Sequence, residues 1–343
     1  MPLSTLLEEG QTSFIVIALL GPREVHQFGW VSQAVRCDIL SVKEAVMKLF
    51  PPLLYVCGGR DTTGRELNSL ERFDPRLGRW EALPPMSVRR VSSSAAALAG
   101  KLYVCGGCTI DMEVQQSVER FDPIACKWEW LPQMLEPRRA CAAVSADGAV
   151  FVCGGCNDEK GPLSSVERFE VRTNSWYMAP QMSTSRWAPA AAASGSIIYL
   201  CGGICDTNQT LRSAESLGAS APEGVWESLP AMALPRFAGA AACLAGMFYV
   251  CGGQDAEQAI VCSVERFDPQ ARAWTRLQPM SRERRAPGVA AAAGVLYVCG
   301  GRARGGGLSC VERLCPETGT WEPSVPPMAT DRMHPAAAAL RAA

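Results

Sequence analysis

Apolar and polar positions alternate along this chain in short runs that keep returning. Tyr55-Val-Cys-Gly-Gly59 comes back as Tyr103–Gly107, Phe151–Gly155, Tyr199–Gly203, Tyr249–Gly253 and Tyr297–Gly301, at spacings of 48, 48, 48, 50 and 48 residues. Each copy reads as a strand with the aromatic and the Cys on one face and Val or Leu on the other. The two glycines then allow a sharp turn where a Cβ would clash. A fixed period of this size predicts stacked units or a propeller.

Four strands are predicted per unit. In the first, a polar loop (60–68) follows the Gly pair, then the strand Leu70-Glu-Arg-Phe-Asp-Pro75, ended by its Asp-Pro turn signal. The outer strand follows in Trp80-Glu-Ala-Leu-Pro-Pro-Met86. A turn through Arg90 leads to small residues, Ser92–Ala97, before the next Leu-Tyr-Val-Cys-Gly-Gly. The anchors recur as Trp80, Trp128, Trp176, Trp226, Trp274 and Trp321, and as Met86, Met134, Met182, Met232, Met280 and Met328. These are expected in the core, the Trp filling space between blades. The recurrent Glu of Glu-Arg is expected as a buried acceptor for backbone amides or Arg. The fourth unit departs, with Glu215-Ser216, no Phe-Asp-Pro and two extra residues before Trp226, which predicts an altered outer edge.

The runs Ala190–Ala193, Ala290–Ala293 and Ala336–Ala339 favour helix on propensity. They are nevertheless predicted as innermost strands, because strands crowded around a central axis admit only small side chains. The first unit, from Leu53, lacks an inner strand of its own. The final segment, Arg332–Leu340, has the inner-strand pattern and no unit after it. The two gaps predict an all-β, six-bladed propeller closed by its C-terminal strand against Leu53–Cys57.

Residues 1–50 lie outside the repeat. Val25, Phe28, Val31 and Val35 follow helical spacing after Pro22, and Asp38–Leu49 gives a second helical pattern, ended by Pro51-Pro52. This divides the chain into a helical segment, 1–50, and a propeller, 51–343.

The 33 basic and 34 acidic residues balance, which argues against a nucleic-acid partner. The longest apolar run near the N-terminus, Phe14–Leu20, is too short to cross a bilayer, and no Lys or Arg precedes it to make a signal peptide. Six of the 16 Cys share the repeated-strand register, so they are read as free core thiols of a protein in the cytoplasm or nucleus. The spacings Cys105-Gly-Gly-Cys108 and Cys153-Gly-Gly-Cys156 are read as core and loop residues rather than as a zinc site. With two His, no nucleophile elbow and no phosphate loop, the chain reads as a non-catalytic binding protein without cofactor or metal.

Thirteen residues before the aromatic of each Gly-Gly strand stands an Arg: Arg90, Arg138, Arg186, Arg236 and Arg284, with Arg332 in the same place of the last segment. Two readings follow. Six guanidiniums near the mouth of the central channel can hold acidic groups of a partner. Alternatively, each pairs with an acidic neighbour in its own blade, and presence in every unit favours that. The next residue varies: Val91, Arg139, Trp187, Phe237, Arg285 and Met333. Variation on a repeated frame suits a specific surface, with Arg139, Trp187, Phe237 and Arg285 as candidate hot spots. The loops 60–68, 108–116, 156–164, 204–212, 254–262 and 302–308 would add rim contacts.

Tyr-Val-Cys-Gly-Gly, then Val-Glu-Arg-Phe-Asp-Pro, Trp, Leu-Pro-x-Met and Arg, resemble the kelch repeat over about residues 53–343. That resemblance implies a β-propeller used for protein–protein recognition, with arginines at the register above holding acidic peptide segments. Ala18–Arg36 resembles part of an F-box in Leu-Gly-Pro-Arg-Glu-Val and Val-Ser-Gln-Ala-Val-Arg, departing from it at Val35, where an aromatic is expected. This implies docking on a cullin ligase through a Skp-type adaptor, by Leu20, Pro22, Val25, Phe28 and Val31. The function implied is a substrate-recognition subunit of a cullin-RING ubiquitin ligase. The alternative is a kelch scaffold or actin-binding protein.

Overall fold

Strands that carry apolar side chains on both faces must be covered on both faces, and that requirement sets the architecture. In the computed structural model, which describes residues 51–220 and 224–340, the second strand of each blade is buried over its last four residues, and Leu53–Cys57 is buried throughout. The helical patterns read in residues 1–50, with Leu20, Pro22, Val25, Phe28 and Val31, lie outside the described residues.

Six four-stranded antiparallel sheets form the blades. The inner strands are Ala336–Leu340 (blade 1), Ser94–Leu98, Ala142–Ala146, Ala190–Ser194, Ala240–Leu244 and Gly288–Ala292. Outward from each come the Tyr-Val-Cys strand, the Val-Glu-Arg-Phe strand and the Trp strand, as in Lys101–Cys105, Val118–Asp122 and Lys127–Leu131 of blade 2. The Ala-rich runs are strands, as packing around an axis requires and propensity does not.

The core consists of six inter-blade layers rather than one centre. The Tyr/Cys face of one blade meets the Val/Leu face of the next: Tyr55 and Cys57 pack on Leu102, Val104 and Phe121, and Tyr297 and Cys299 pack on Leu54, Val56 and Phe73. Aromatic pairs cross these layers, Tyr103–Phe169 at 6.2 Å and Tyr297–Phe73 at 5.9 Å between centroids. Each of the six recurrent Trp also donates its indole N–H backwards around the ring. Trp128 Nε1 reaches the Pro84 carbonyl at 2.8 Å and Trp80 Nε1 the Pro326 carbonyl at 2.8 Å, so blade 1 is tied to blade 6 like any other pair.

The ring closes as the two gaps in the repeat predict. The last strand pairs antiparallel with the first, from Leu53↔Leu340 to Cys57↔Ala336. Blade 4 carries the expected irregularity: its outer strand is only Glu227–Leu229, and Leu217 stands opposite Ile198 where blades 1, 2, 3 and 5 place Phe. Trp226 still reaches the Pro180 carbonyl at 2.9 Å, so the two additional residues are taken up before it.

Candidate binding site at the channel mouth

Between blades, the loop that enters each inner strand carries the recurrent Arg. Its backbone belongs to the preceding blade: Gly59 N–H donates to the Arg90 carbonyl at 2.8 Å, and Arg90 N–H to the Leu67 carbonyl at 3.1 Å. Its side chain belongs to the following blade, donating to the Gly106 and Ser117 carbonyls at 3.0 and 3.1 Å and to Glu119 Oε1 at 3.1 Å from Nη2. Glu119 Oε2 in turn accepts from the Ser87 amide at 2.8 Å. The same clamp joins Arg138 to Glu167, Arg186 to Glu215, Arg236 to Glu265, Arg284 to Glu312 and Arg332 to Glu71. The glycine pair exists for this approach. At Gly58, with φ of 61°, a Cβ would stand 2.7 Å from the Arg90 carbonyl oxygen.

A ring of partner-binding guanidiniums is therefore not what this register builds. Arg90, Arg138, Arg186, Arg236, Arg284 and Arg332 are at most 1% exposed, and each side chain donates to carbonyls and to the recurrent Glu of the blade whose inner strand it leads into. No partner side chain reaches a guanidinium so enclosed. The intra-blade alternative read from the sequence describes them.

The next register does reach the channel. Each of its residues forms a backbone bridge with the residue directly after a Gly pair: Met333 with Arg60, Val91 with Cys108, Arg139 with Cys156, Trp187 with Ile204, Phe237 with Gln254 and Arg285 with Arg302. These bridges ring a cavity of about 810 Å3 at one mouth of the channel, within the size range of ligand sites. One residue deeper, Ser92, Ala140, Ala188, Ala238, Ala286 and His334 all take left-handed φ between 46° and 55°. The amides of Ala140, Ala188, Ala238 and Ala286 each donate to the carbonyl one blade back, at 2.6 to 3.0 Å. At the closure the pattern changes: Ser92 Oγ lies 3.4 Å from His334 Nδ1.

The cavity is unequal around its circumference. Blades 4 and 5 supply an apolar floor of Ile204, Phe237 and Ala238, with the Trp187 ring 6.1 Å from that of Phe237. Phe237 is only 3% exposed, so it acts as floor and not as a projecting anchor. Val91 is buried too, whereas Arg139, Trp187, Arg285 and Met333 are partly open. Blades 6, 1 and 3 supply charge. Arg139 is paired with Asp158 at 3.1 Å and Arg60 with Glu66 at 3.1 Å. Arg285 has no carboxylate partner among the described residues; its guanidinium lies 5.3 Å over the Phe237 ring. Burial lowers its pKa from the ordinary value, and the charge of Arg302 lowers it further. Burial, with Arg285, Arg302 and Arg60 nearby, holds the His334 imidazole down to about 4. Sequence reasoning placed Arg60, Gln254 and Arg302 only within the rim loops and His334 only within the closing strand, not as walls of this cavity. Their signal was position: the first residue after each Gly pair, and the second after each Arg.

The repeated-strand thiols Cys57, Cys105, Cys153, Cys201, Cys251 and Cys299 are unpaired and fully buried, with burial pushing Cys57, Cys153, Cys201, Cys251 and Cys299 up to about 12. Cys105 is core and Cys108 lies in the loop after it, its Sγ facing the Val91 carbonyl at 3.7 Å. Among the described residues, no three His, Cys, Asp or Glu converge as metal ligands, and no helix is long and apolar enough to cross a membrane.

A family model described as the KLHDC2/KLHL20/DRC7 Kelch-repeats domain matches residues 30–203, and one described as the Kelch motif matches residues 235–281 and 283–328. The chain belongs to the kelch-repeat family. The first match begins at residue 30, inside the stretch that resembles an F-box. Among solved structures the kelch propeller is similar to one titled Structure of YjhT, at 15% identity and a TM-score of 0.64, over 79% of this chain and 97% of that one. At that identity the likeness concerns the fold alone. No curated protein matches the chain.

Proposed function

We propose that this kelch protein is a protein-recognition subunit whose channel-mouth cavity holds a segment of its partner, and that it serves as the substrate receptor of a cullin-RING ubiquitin ligase in the cytoplasm or nucleus. One observation carries the first part. On a frame repeated six times, the register that varies from blade to blade is the register that lines an 810 Å3 cavity. Identical side chains there would serve only the frame; different ones meet different parts of one occupant. The ligase assignment rests on the F-box-like residues 18–36, with Leu20, Pro22, Val25, Phe28 and Val31 contacting a Skp-type adaptor.

Affinity purification of three forms tests both parts. The full-length chain brings down an adaptor–cullin pair and a set of target proteins. A chain beginning at Pro51 keeps the targets and loses the pair. Full-length Trp187→Ala/Arg285→Ala keeps the pair and loses the targets. If neither the full-length nor the shortened form brings down the pair, the ligase reading is wrong. Co-sedimentation with actin filaments would replace it with the scaffold reading.

A further inference from the structure

Two arginines at the cavity mouth stand opposite one another in a single backbone bridge, with no ion-pair partner for either among the described residues. Arg285 and Arg302 exchange N–H···O bonds of 2.8 Å in both directions, which sets their side chains beside one another. The carboxylates nearby are already engaged: Glu66 with Arg60, Glu283 with Arg304, and Asp331 with the Thr62 amide at 2.6 Å. His334 is neutral at physiological pH and contributes no charge. Two buried donors of residues that line the cavity, Arg285 Nε and Trp187 Nε1, have no acceptor. A buried donor left unpaired is destabilising, so both favour an occupant that brings acceptors.

We infer that this cavity takes a phosphorylated segment of a partner protein, the phosphate seated between Arg285 and Arg302 and an adjoining apolar side chain on Trp187 and Phe237. This rests on the recognition reading above and specifies the occupant. A carboxylate answers one guanidinium and leaves the other opposed by nothing. A phosphate monoester carries a charge of about −1.5 to −2 at pH 7 and three acceptor oxygens, enough for both arginines and for a further N–H. The apolar floor on blades 4 and 5 lies next to the basic side, with Phe237 touching both Trp187 and Arg285. The occupant therefore presents charge and apolar surface on neighbouring residues, as a peptide does and a free anion does not.

Calorimetric titration of the full-length protein with three peptide libraries tests this. The libraries are degenerate around a fixed phosphoserine, a fixed glutamate or a fixed serine, and inorganic phosphate is the fourth probe. The phosphoserine library binds at least tenfold tighter than the glutamate library, and inorganic phosphate does not displace it at equal concentration. Arg302→Gln, a change at an exposed side chain, lowers phosphoserine binding at least tenfold and leaves glutamate binding within about twofold. Equal affinity for phosphoserine and glutamate, inorganic phosphate binding as tightly as the peptides, or no binding by any probe each overturns the inference. Should the probes fail while Trp187→Ala/Arg285→Ala still loses its captured targets, the inference falls and the recognition reading stands. Should that variant capture the same proteins as the wild type, the recognition reading itself falls.

Discussion

Arg138 shows how a residue reads one way in sequence and another in three dimensions. Its register suggests a ligand-binding ring, but its guanidinium is 0% exposed and bonds Glu167, the Gly154 carbonyl and the Ser165 carbonyl. Removing one partner of a buried ion pair strands the other, at a cost of about 3–5 kcal/mol. Arg138→Ala is therefore expected to lower the stability of the propeller by about that much in urea unfolding, a loss in stability rather than in binding alone. Arg302→Gln is expected to leave unfolding unchanged. The invariance of the Arg across all six units was the clue, since a binding surface has no need of sixfold repetition. His334 offers a second test at this scale. Its imidazole is held at about 4 against an ordinary 6.5, so the folded state refuses a proton that the unfolded chain accepts. Stability falls as pH drops from about 6.5 toward 4 and is flat in this respect below that. Arg285, Arg302, Arg60 and the Ser92 hydroxyl surround the ring. Between pH 7 and 5 the wild type is expected to lose about 2 kcal/mol more than His334→Gln, read as the shift in unfolding midpoint. An equal loss in both would show that the imidazole is not the group responsible.

At the scale of single elements, the strands were legible because their patterns are forced by packing. Tyr-Val-Cys carries apolar groups on both faces, and only a sheet covered on both sides satisfies that. The Ala-rich strands were legible for a steric reason that outweighs helix propensity. The short outer strand of blade 4 was announced by the missing Phe-Asp-Pro. The small hairpins at Cys156–Pro162 and Arg302–Gly307 were not, because each pairs only two residues with two, too few for a local pattern to encode. The bridges from Arg60, Cys108 and Arg302 were illegible for the same reason. In sequence they are the first letters of a variable loop, and only pairing with a loop some 17 residues or more away in the chain makes them walls of the cavity. Thus the frame of the site was readable, and its charge asymmetry was not.

For the whole molecule, closure is the property on which stability turns. The strand Ala336–Leu340 fills the axis side of blade 1, and Arg332 clamps Glu71 from the loop before it. A chain ending at Thr330 loses both, leaves Leu53–Cys57 with an unpaired edge and opens two inter-blade layers. Such a chain is expected to lose the whole propeller in one step, seen as collapse of the strand signal in circular dichroism at a temperature where the full-length chain is folded. A truncated chain that melts like the intact one would contradict closure as the source of stability.

The same arrangement places a constraint on biosynthesis. Blade 1 is translated first and is finished by the last strand, so its innermost position stays vacant while the other five blades are being made. Nascent chains still on the ribosome carry an open sheet edge at Leu53–Cys57 that only residue 336 onward can cap. Holding that edge away from other nascent chains is then a task for the cell's chaperones.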